Sequence, residues 1–204
     1  MTDKQSSGFL IWRMPMFVFT ASILIWGLIK SGVDYMAYLT FWGFALITFY
    51  FLLGMLSTIW KLNNSLTILM QELSTSFAFL ITAGYWIFGS TNPVTMPMFS
   101  FFNIAFHILN SVIMLFDTII TRYVYIPKHL LFILGFGLLY AIFNLIYVKI
   151  VGHSIYNLIS WNNIQTLGWL VACAVALIAA FILAALISFI ARRIIPVKNT
   201  QNVC

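Results

Sequence analysis

Six long apolar stretches constrain the fold of this chain more than any other feature of its sequence. Crossing ~30 Å of hydrocarbon takes about 20 helical residues, and each backbone polar group must be satisfied within its own segment. Apolar runs of this length therefore predict transmembrane helices. We predict an all-α, polytopic membrane protein with a single domain over residues 1–204. The predicted spans are about 14–30, 36–60, 69–88, 98–121, 128–150 and 167–190.

The remaining composition agrees with a membrane protein. Hydrophobic residues make up 63% of the chain and charged residues 7%, whereas roughly a quarter of the residues in a soluble domain are charged. The first apolar run is too long for a cleaved signal peptide, so we interpret it as a retained signal-anchor helix. The two cysteines, Cys173 and Cys204, have no metal-binding spacing, and the sequence predicts neither a disulfide framework nor a metal site nor a cofactor.

The basic residues predict the orientation of the spans. With six crossings both termini lie on the same side of the membrane, and Lys and Arg concentrate in cytosolic segments. Only Lys30 and Lys149 fall on the other side, so both termini are predicted to be cytosolic. The net charge of +6 then reflects orientation and does not indicate nucleic acid as a partner. The predicted cytosolic residues are Lys4, Arg13, Lys61, Arg122, Lys128, Arg192, Arg193 and Lys198.

A polar stripe follows one face of the fourth predicted span. Polar side chains inside a bilayer are costly and generally face the bundle interior or a wet cavity, so they mark a candidate functional site. In a regular helix His107 and Asp117 are about 15 Å apart along the axis, too far for contact. We therefore expect Asp117 to anchor the cytosolic end near Arg122 or His129. Steps of three and four residues place on this face Asn103, His107, Asn110, Met114, Asp117 and Thr121.

A threonine of the second span is predicted to lie in the same leaflet as His107. Thr40 is about one turn inside its span on the non-cytosolic side. A neutral imidazole is a suitable base for a hydroxyl nucleophile, so Thr40 and His107 form a candidate catalytic dyad. The alternative is that Thr40 bonds the carbonyl four residues before it, as membrane threonines commonly do. Candidate substrate-binding residues at this level are Trp42, Trp86, Asn103, Asn110, Asn144 and Tyr156.

Several short motifs resemble a known superfamily of six-span membrane proteins. They are "YLTFWG", the "YW" that ends the third span, "N-x-x-x-H" with an acid ten residues later, and the tyrosine motifs after the fifth span. The resemblance covers about residues 38–161. The superfamily joins the rolling stone-like proteins to the androgen-induced and androgen-dependent threonine hydrolases. His107 with Asn110, an "H-x-x-N" pattern, is closer to the rolling stone-like branch.

This resemblance implies a function for the chain. In the hydrolase branch the threonine of "LTFW" and the histidine of the fourth span form the catalytic pair, which corresponds here to Thr40 and His107. The implied substrates are lipophilic esters, namely fatty acid esters of hydroxy fatty acids. We therefore expect an intramembrane lipid hydrolase, in contact with membrane lipids, in the endoplasmic reticulum or the plasma membrane. The sequence leaves the oligomeric state open.

Two other functions remain open. One is a non-enzymatic, rolling stone-like protein that acts in membrane organisation or cell fusion, with the polar stripe holding the bundle together. The other is a small carrier that uses the stripe as a polar path, although the sequence shows no internal repeat. A haem carrier, a rhomboid-type protease, a zinc hydrolase and an aspartyl protease each require residues that the spans do not supply.

Overall fold

The chain folds into a bundle of long helices. The computed structural model describes residues 3–88, 101–156 and 159–194, except for the side chains of residues 3–7, 88 and 102. Three consecutive segments, Phe101–Ile104, the π-helical Ala105–Leu109 and Asn110–Thr121, form one helix, α4. Short 3₁₀ turns, Val33–Ala37 and Pro127–His129, precede α2 and α5. The other helices are α1 Asp3–Ser31, α2 Leu39–Ile59, α3 Ser65–Phe88, α5 Leu130–Val151 and α6 Gln165–Ile194.

The predicted all-α, polytopic membrane architecture is confirmed. Five of these helices contain segments long and apolar enough to cross a membrane, and α4 contributes the shorter apolar segment Ala105–Thr121. Residues 98–100 of the fourth predicted span lie outside the described residues, so its full length and the count of six stay predictions. Lys198, Cys204 and the side chain of Lys4 also lie outside them. The five longer segments are Gly8–Ser31, Leu39–Ile59, Ser65–Ile87, Pro127–Val151 and Gln165–Ile194.

Helix α3 lies at the centre of the bundle. It packs against α2, α4, α5 and α6, while α1 packs mainly against α2. In the most apolar window of α3, 67% of the residues are buried, against 17% to 39% for the other long spans. The core between α2, α3 and α4 contains fully buried aromatic and aliphatic side chains. They include Ile47, Phe51, Phe77 and Met114.

The bundle has two ends, which we name by the residues that lie there. The His107 end contains the starts of α2, α4 and α6 together with the ends of α1, α3 and α5. The Asp117 end contains the opposite termini of the same helices. Side-chain contacts between antiparallel neighbours, such as Tyr85 with His107 and Ser57 with Thr67, define this arrangement.

Arg13, predicted to lie at the cytosolic edge of the first span, is buried inside the bundle. Helix α1 begins at Asp3, not near residue 14, and Arg13 lies inside the bundle with 1% of its surface exposed. Its guanidinium donates hydrogen bonds to the carbonyl of Gly54 (2.9 Å), to Thr58 (3.1 Å) and to the hydroxyl of Tyr123 (2.7 Å). Because these acceptors replace water, the charge is tolerated within the helix. Arg13 is therefore a structural residue as well as a charge near the start of a span.

Candidate functional site

His107 lies in the π-helical segment of α4. Its ring stacks face to face on Tyr85 of α3, with the ring centroids 3.6 Å apart and the planes tilted by 6°. The indole of Trp86 donates a hydrogen bond to the carbonyl oxygen of His107 (3.3 Å). The ring nitrogen Nδ1 is buried and has no hydrogen-bond partner. The imidazole is thus fixed in orientation while one of its nitrogens remains available.

The π-helical segment explains how α4 presents this ring. A π-turn inserts an extra residue into an α-helix, disturbs its regular spacing and occurs frequently at functional sites. One turn after His107 the helix is fastened to α3, because Thr82 donates to Asn110 Oδ1 (3.0 Å) and contacts Ser111 Oγ (2.7 Å). Ser111 donates in turn to the carbonyl of Ala78 (2.9 Å). These contacts hold α4 against α3 directly below the imidazole.

The hydroxyl of Thr40 differs from those of other threonines in the bundle. Thr40 is half-buried in the first turn of α2, and its hydroxyl has no hydrogen-bond partner among the described residues. The carbonyl four residues before it, that of Met36, accepts the indole N–H of Trp42 instead (3.0 Å). The expected alternative, a bond from Thr40 to that carbonyl, is thus not formed. Bonds to the carbonyl four residues before are formed by Thr20, Thr48, Thr58, Thr75 and Thr121.

Thr40 and His107 lie at the same end of the bundle but form no hydrogen bond with each other. One turn after Thr40, Phe44 packs edge-on against Phe106, the neighbour of His107 in sequence (4.9 Å between ring centroids). Gly43 of the same turn faces the side chain of Ile81, one turn before Tyr85. Since α2 and α3 run in opposite directions, Thr40 is placed at about the level of Tyr85, on which His107 stacks.

The predicted substrate-binding residues separate into two groups. Trp86, Asn103 and Asn110 lie with His107 on α3 and α4, and Asn103 and Asn110 are 7% and 2% exposed. The second group faces α5 and the segment that follows it. There Trp161 donates to Asn144 Oδ1 (2.7 Å), Leu39 N donates to Tyr156 (2.9 Å), and Trp42 packs on Tyr140 and Phe143. Burial raises the pKa of Tyr156 to about 12, which keeps this hydroxyl neutral.

The Asp117 end contains a buried polar network that the sequence did not predict as such. Asp117, with 0% exposure, accepts hydrogen bonds from Trp12 (2.9 Å), Tyr50 (2.5 Å) and Gln71 (3.0 Å). Gln71 also donates to Thr121 (2.6 Å). The network therefore joins the first four helices through one carboxylate. We call Trp12, Arg13, Tyr50, Gln71, Asp117, Thr121 and Tyr123 the Asp117 network.

These contacts correct the expected neighbours of Asp117. Its hydrogen-bond partners come from α1, α2 and α3, whereas His129 pairs with Glu72 of α3 (2.6 Å). Glu72 also accepts the backbone N–H of Ile126 (2.8 Å), which ties the segment between α4 and α5 to the centre of the bundle. The separation of His107 from Asp117 is as predicted. Among the described residues, no three His, Cys, Asp or Glu side chains come together as metal ligands would.

Comparison with known proteins identifies a relative of this chain. It is similar to Protein rolling stone of Drosophila melanogaster, with 26% identity over 193 residues, 79% of this chain and 69% of that protein. This similarity supports a rolling stone-like family for the chain. The resemblance predicted from its short motifs is thereby confirmed, and the chain is an integral, multi-pass membrane protein. No family model matches it, and no solved structure does.

Some structural features of this chain could be predicted from its sequence, and others could not. Glu72 stands inside a predicted apolar span, which was a direct sign of a buried charge that needs a partner. Arg13 stood at the predicted edge of the first span and therefore looked like an orientation signal. The π-helical segment around His107 and the free hydroxyl of Thr40 depend on the packing of three helices. No local pattern in the sequence reports them.

Proposed function

We propose that this rolling stone-like protein is an intramembrane hydrolase of fatty-acid esters, such as esters of hydroxy fatty acids. Thr40 is the proposed nucleophile and His107 the proposed general base. One observation carries the proposal: at the same end of the bundle, one threonine hydroxyl is free and one imidazole has a buried nitrogen without a partner. Buried polar atoms in a native fold are generally paired. Among the eight unpaired ones of the described residues, Nδ1 of His107 is the one that belongs to an imidazole and can act as a general base.

The proposed reaction needs only these side chains and water. Thr40 Oγ attacks the ester carbonyl while its proton passes to the neutral imidazole of His107. The C–O bond of the ester then breaks, the imidazolium returns the proton to the leaving alkoxide, and an acyl-threonine remains. Water, activated by the same imidazole, hydrolyses this intermediate and regenerates Thr40. The ester and water thus yield one carboxylic acid and one alcohol.

The two reacting groups must come closer than they are without substrate. Catalytic hydrogen bonds are often long or absent in ligand-free sites and tighten when substrate binds. The hydroxyl of Thr40 is half-buried and unbonded, so rotation about its χ1 angle breaks no hydrogen bond within the described residues. The ring of His107, by contrast, is held by its stack on Tyr85. The motion in the proposed mechanism is therefore assigned to Thr40.

Asn103 is the proposed donor for the oxyanion that forms on the ester carbonyl. It is buried, and it lies four residues before His107 on the same helix. The choice depends on its position near His107, because Asn103 has a contact of its own, just as Trp42 donates to Met36 and Trp86 to the carbonyl of His107. The amide nitrogen of Asn144 is buried without a partner, but Asn144 lies on the α5 side of α2, where its oxygen accepts from Trp161. A side-chain amide aimed at the developing charge is worth about a hundredfold or more in rate.

The test measures ester hydrolysis by the purified chain in proteoliposomes. The substrate is a palmitic acid ester of hydroxystearic acid, and the variants are Thr40→Ala, His107→Ala and Thr48→Ala. Loss of the nucleophile or the base lowers turnover by about a hundredfold or more. Thr48 is the matched control, because it lies on the same helix but bonds the carbonyl of Phe44 (2.9 Å). Full turnover by Thr40→Ala contradicts the proposal.

The buried network supports a second candidate, a non-enzymatic protein that organises membranes or takes part in cell fusion. The Asp117 network joins several helices through hydrogen bonds between polar side chains. If the whole bundle is built on that principle, Thr40→Ala and His107→Ala change stability without any hydrolytic activity to lose. In both cases we place the His107 end on the non-cytosolic side of the endoplasmic reticulum or plasma membrane, as the distribution of basic residues predicts.

A further inference from the structure

Two cavities follow the seam between α2 and α5, on the side of α2 away from His107. The first, of about 400 Å³, opens at the His107 end and is lined by Asp34, Ala37, Tyr38, Tyr147, His153 and Ser154, among others. The second, of about 240 Å³, lies deeper along the same seam. It is lined by Phe41, Trp42, Ala45, Leu46, Phe49 and Phe136. We call them the polar cavity and the apolar groove.

From this seam we infer a binding site for one zwitterionic phospholipid that carries a choline head group. The polar cavity takes the head group, and the apolar groove takes the adjoining part of an acyl chain. The site is separate from the proposed hydrolytic pair and does not depend on it. Neither cavity is lined by Thr40 or His107.

The dimensions of the seam agree with a lipid of one leaflet. Tyr38 and Phe49 are eleven residues apart on α2, and Tyr147 and Phe136 are eleven residues apart on the antiparallel α5. At 1.5 Å per residue each pair spans about 16 Å, close to half of the ~30 Å hydrocarbon core. A lipid whose head lies at the membrane surface therefore places its chain along the groove.

The polar cavity has the chemistry that a choline phosphate group requires. Asp34 supplies a carboxylate, and Tyr38 and Tyr147 supply aromatic rings, which attract a quaternary ammonium group through their faces. His153 and Ser154 supply donors for the phosphate oxygens. A volume of about 400 Å³ falls within the roughly 300–1,000 Å³ of small-molecule sites. The single carboxylate favours a head group with a cationic end over a purely anionic one.

Aromatic contacts connect α2 and α5 along the seam. Trp42 packs against Tyr140 and Phe143, with ring centroids 5.6 Å and 5.1 Å away, and Phe143 packs against Tyr147 at 6.1 Å. The hydroxyl of Tyr140 donates to the carbonyl of Ala37, which lines the polar cavity (3.0 Å). Trp42 also packs against Phe136 (5.8 Å), and both line the apolar groove, so these rings set the spacing of α2 and α5 along the seam.

The test titrates the purified protein, delipidated in detergent, with dioctanoylphosphatidylcholine, dioctanoylphosphatidylglycerol and free phosphocholine. Binding is read by native mass spectrometry. The wild-type chain is expected to bind one phosphatidylcholine at least tenfold more tightly than phosphatidylglycerol or phosphocholine. Asp34→Asn is expected to remove that preference. Equal binding of phosphatidylglycerol overturns the head-group assignment, and equally tight binding of phosphocholine overturns the role of the groove.

A matched pair of variants tests the groove itself. Phe49 and Phe116 are both exposed on the lipid-facing surface, at 46% and 54%, but only Phe49 lines the groove. Phe49→Ala is expected to weaken phosphatidylcholine binding about tenfold, while Phe116→Ala leaves it within twofold. Thermal unfolding of each variant confirms that the chain is folded. Equal losses for the two variants, or no loss for either, overturn the inference.

Discussion

The two ends of this bundle use polar side chains differently, although buried atoms without a hydrogen-bond partner occur at both, among them Nε of Arg13 and Oε1 of Gln71 at the Asp117 end. At the Asp117 end the carboxylate accepts hydrogen bonds from α1, α2 and α3, and the guanidinium of Arg13 donates to Tyr123 just after α4. At the His107 end the imidazole keeps a buried nitrogen without a partner, and the nearby hydroxyl of Thr40 is free among the described residues. Polar groups inside a membrane are costly, so each end must have a reason to keep them.

Hydrogen-bonded groups at the Asp117 end hold the helices together, whereas the groups at the His107 end are proposed to take part in a reaction. Groups that satisfy one another stabilise the bundle, and their removal leaves partners buried and unpaired. Buried groups that stay unpaired cost stability instead, and they remain available for a substrate. The comparison therefore predicts large effects on stability at the Asp117 end and large effects on activity at the His107 end.

The largest expected effect on stability follows from Asp117→Ala. Three donors, from Trp12, Tyr50 and Gln71, lose their acceptor in the interior. We expect the free energy of unfolding to fall by about 3–5 kcal/mol, because each buried donor left without an acceptor costs about 1–3 kcal/mol and the interior relaxes in part. Thermal unfolding in detergent measures it, with the exposed Asp34→Ala as the control. Equal melting temperatures for the two variants contradict the role assigned to the network.

The next effect concerns the segment between α4 and α5. Glu72→Ala removes the acceptor for Ile126 N and for His129, at a cost of about 2 kcal/mol for charge-assisted hydrogen bonds. The freed segment should become more accessible to protease. Trypsin cleavage after Lys128 is expected to proceed several-fold faster than in the wild-type chain, with cleavage after Lys61 as the internal control. An unchanged cleavage rate at Lys128 is the contrary result.

A smaller effect distinguishes two tyrosines. Tyr50→Phe removes the hydroxyl that donates to Asp117 (2.5 Å), and we expect a loss of about 1–2 kcal/mol. Tyr85→Phe keeps the ring that stacks on His107, so it should change the free energy of unfolding by no more than about 0.5 kcal/mol. Chemical denaturation in mixed micelles compares them. A greater loss for Tyr85→Phe would reverse the assignment of the two ends.

The smallest effect on stability is expected at Thr40. Thr40→Val replaces a hydroxyl without a hydrogen-bond partner by a methyl group, and we expect a change within about 0.5 kcal/mol. Thr121→Val is the matched variant, because its hydroxyl accepts a bond from Gln71 and donates to the carbonyl of Asp117. Its expected cost is about 1 kcal/mol. If both cost the same, the hydroxyl of Thr40 is engaged after all.

The architecture was predictable because hydrophobic length is a local property of the sequence. Apolar runs and polar breaks located each helix to within a few residues at most boundaries, and the spacing of three and four residues placed Asn110 and Asp117 on the interior face of α4. The burial of Arg13 was not predicted, because a buried arginine depends on acceptors from α2 and from the segment after α4. Such acceptors are distant in sequence.

The candidate site was predictable only in part. The sequence singled out Thr40 and His107, but regular helical spacing does not report the π-helical segment that carries the imidazole. It also grouped Trp42, Asn144 and Tyr156 with His107 because all lie in one leaflet. The structure places them on the α5 side of α2 instead. Depth in the membrane follows from residue number, whereas the direction of a side chain depends on which helices are neighbours.

The most direct test of the division between the two ends is covalent labelling of the purified protein with a lipophilic fluorophosphonate, followed by peptide mapping. The wild-type chain is expected to carry the label on Thr40, the His107→Ala chain to lose it, and both to melt at nearly the same temperature. Label on another hydroxyl, or label on Thr40 that persists without His107, contradicts the assignment of chemistry to this pair.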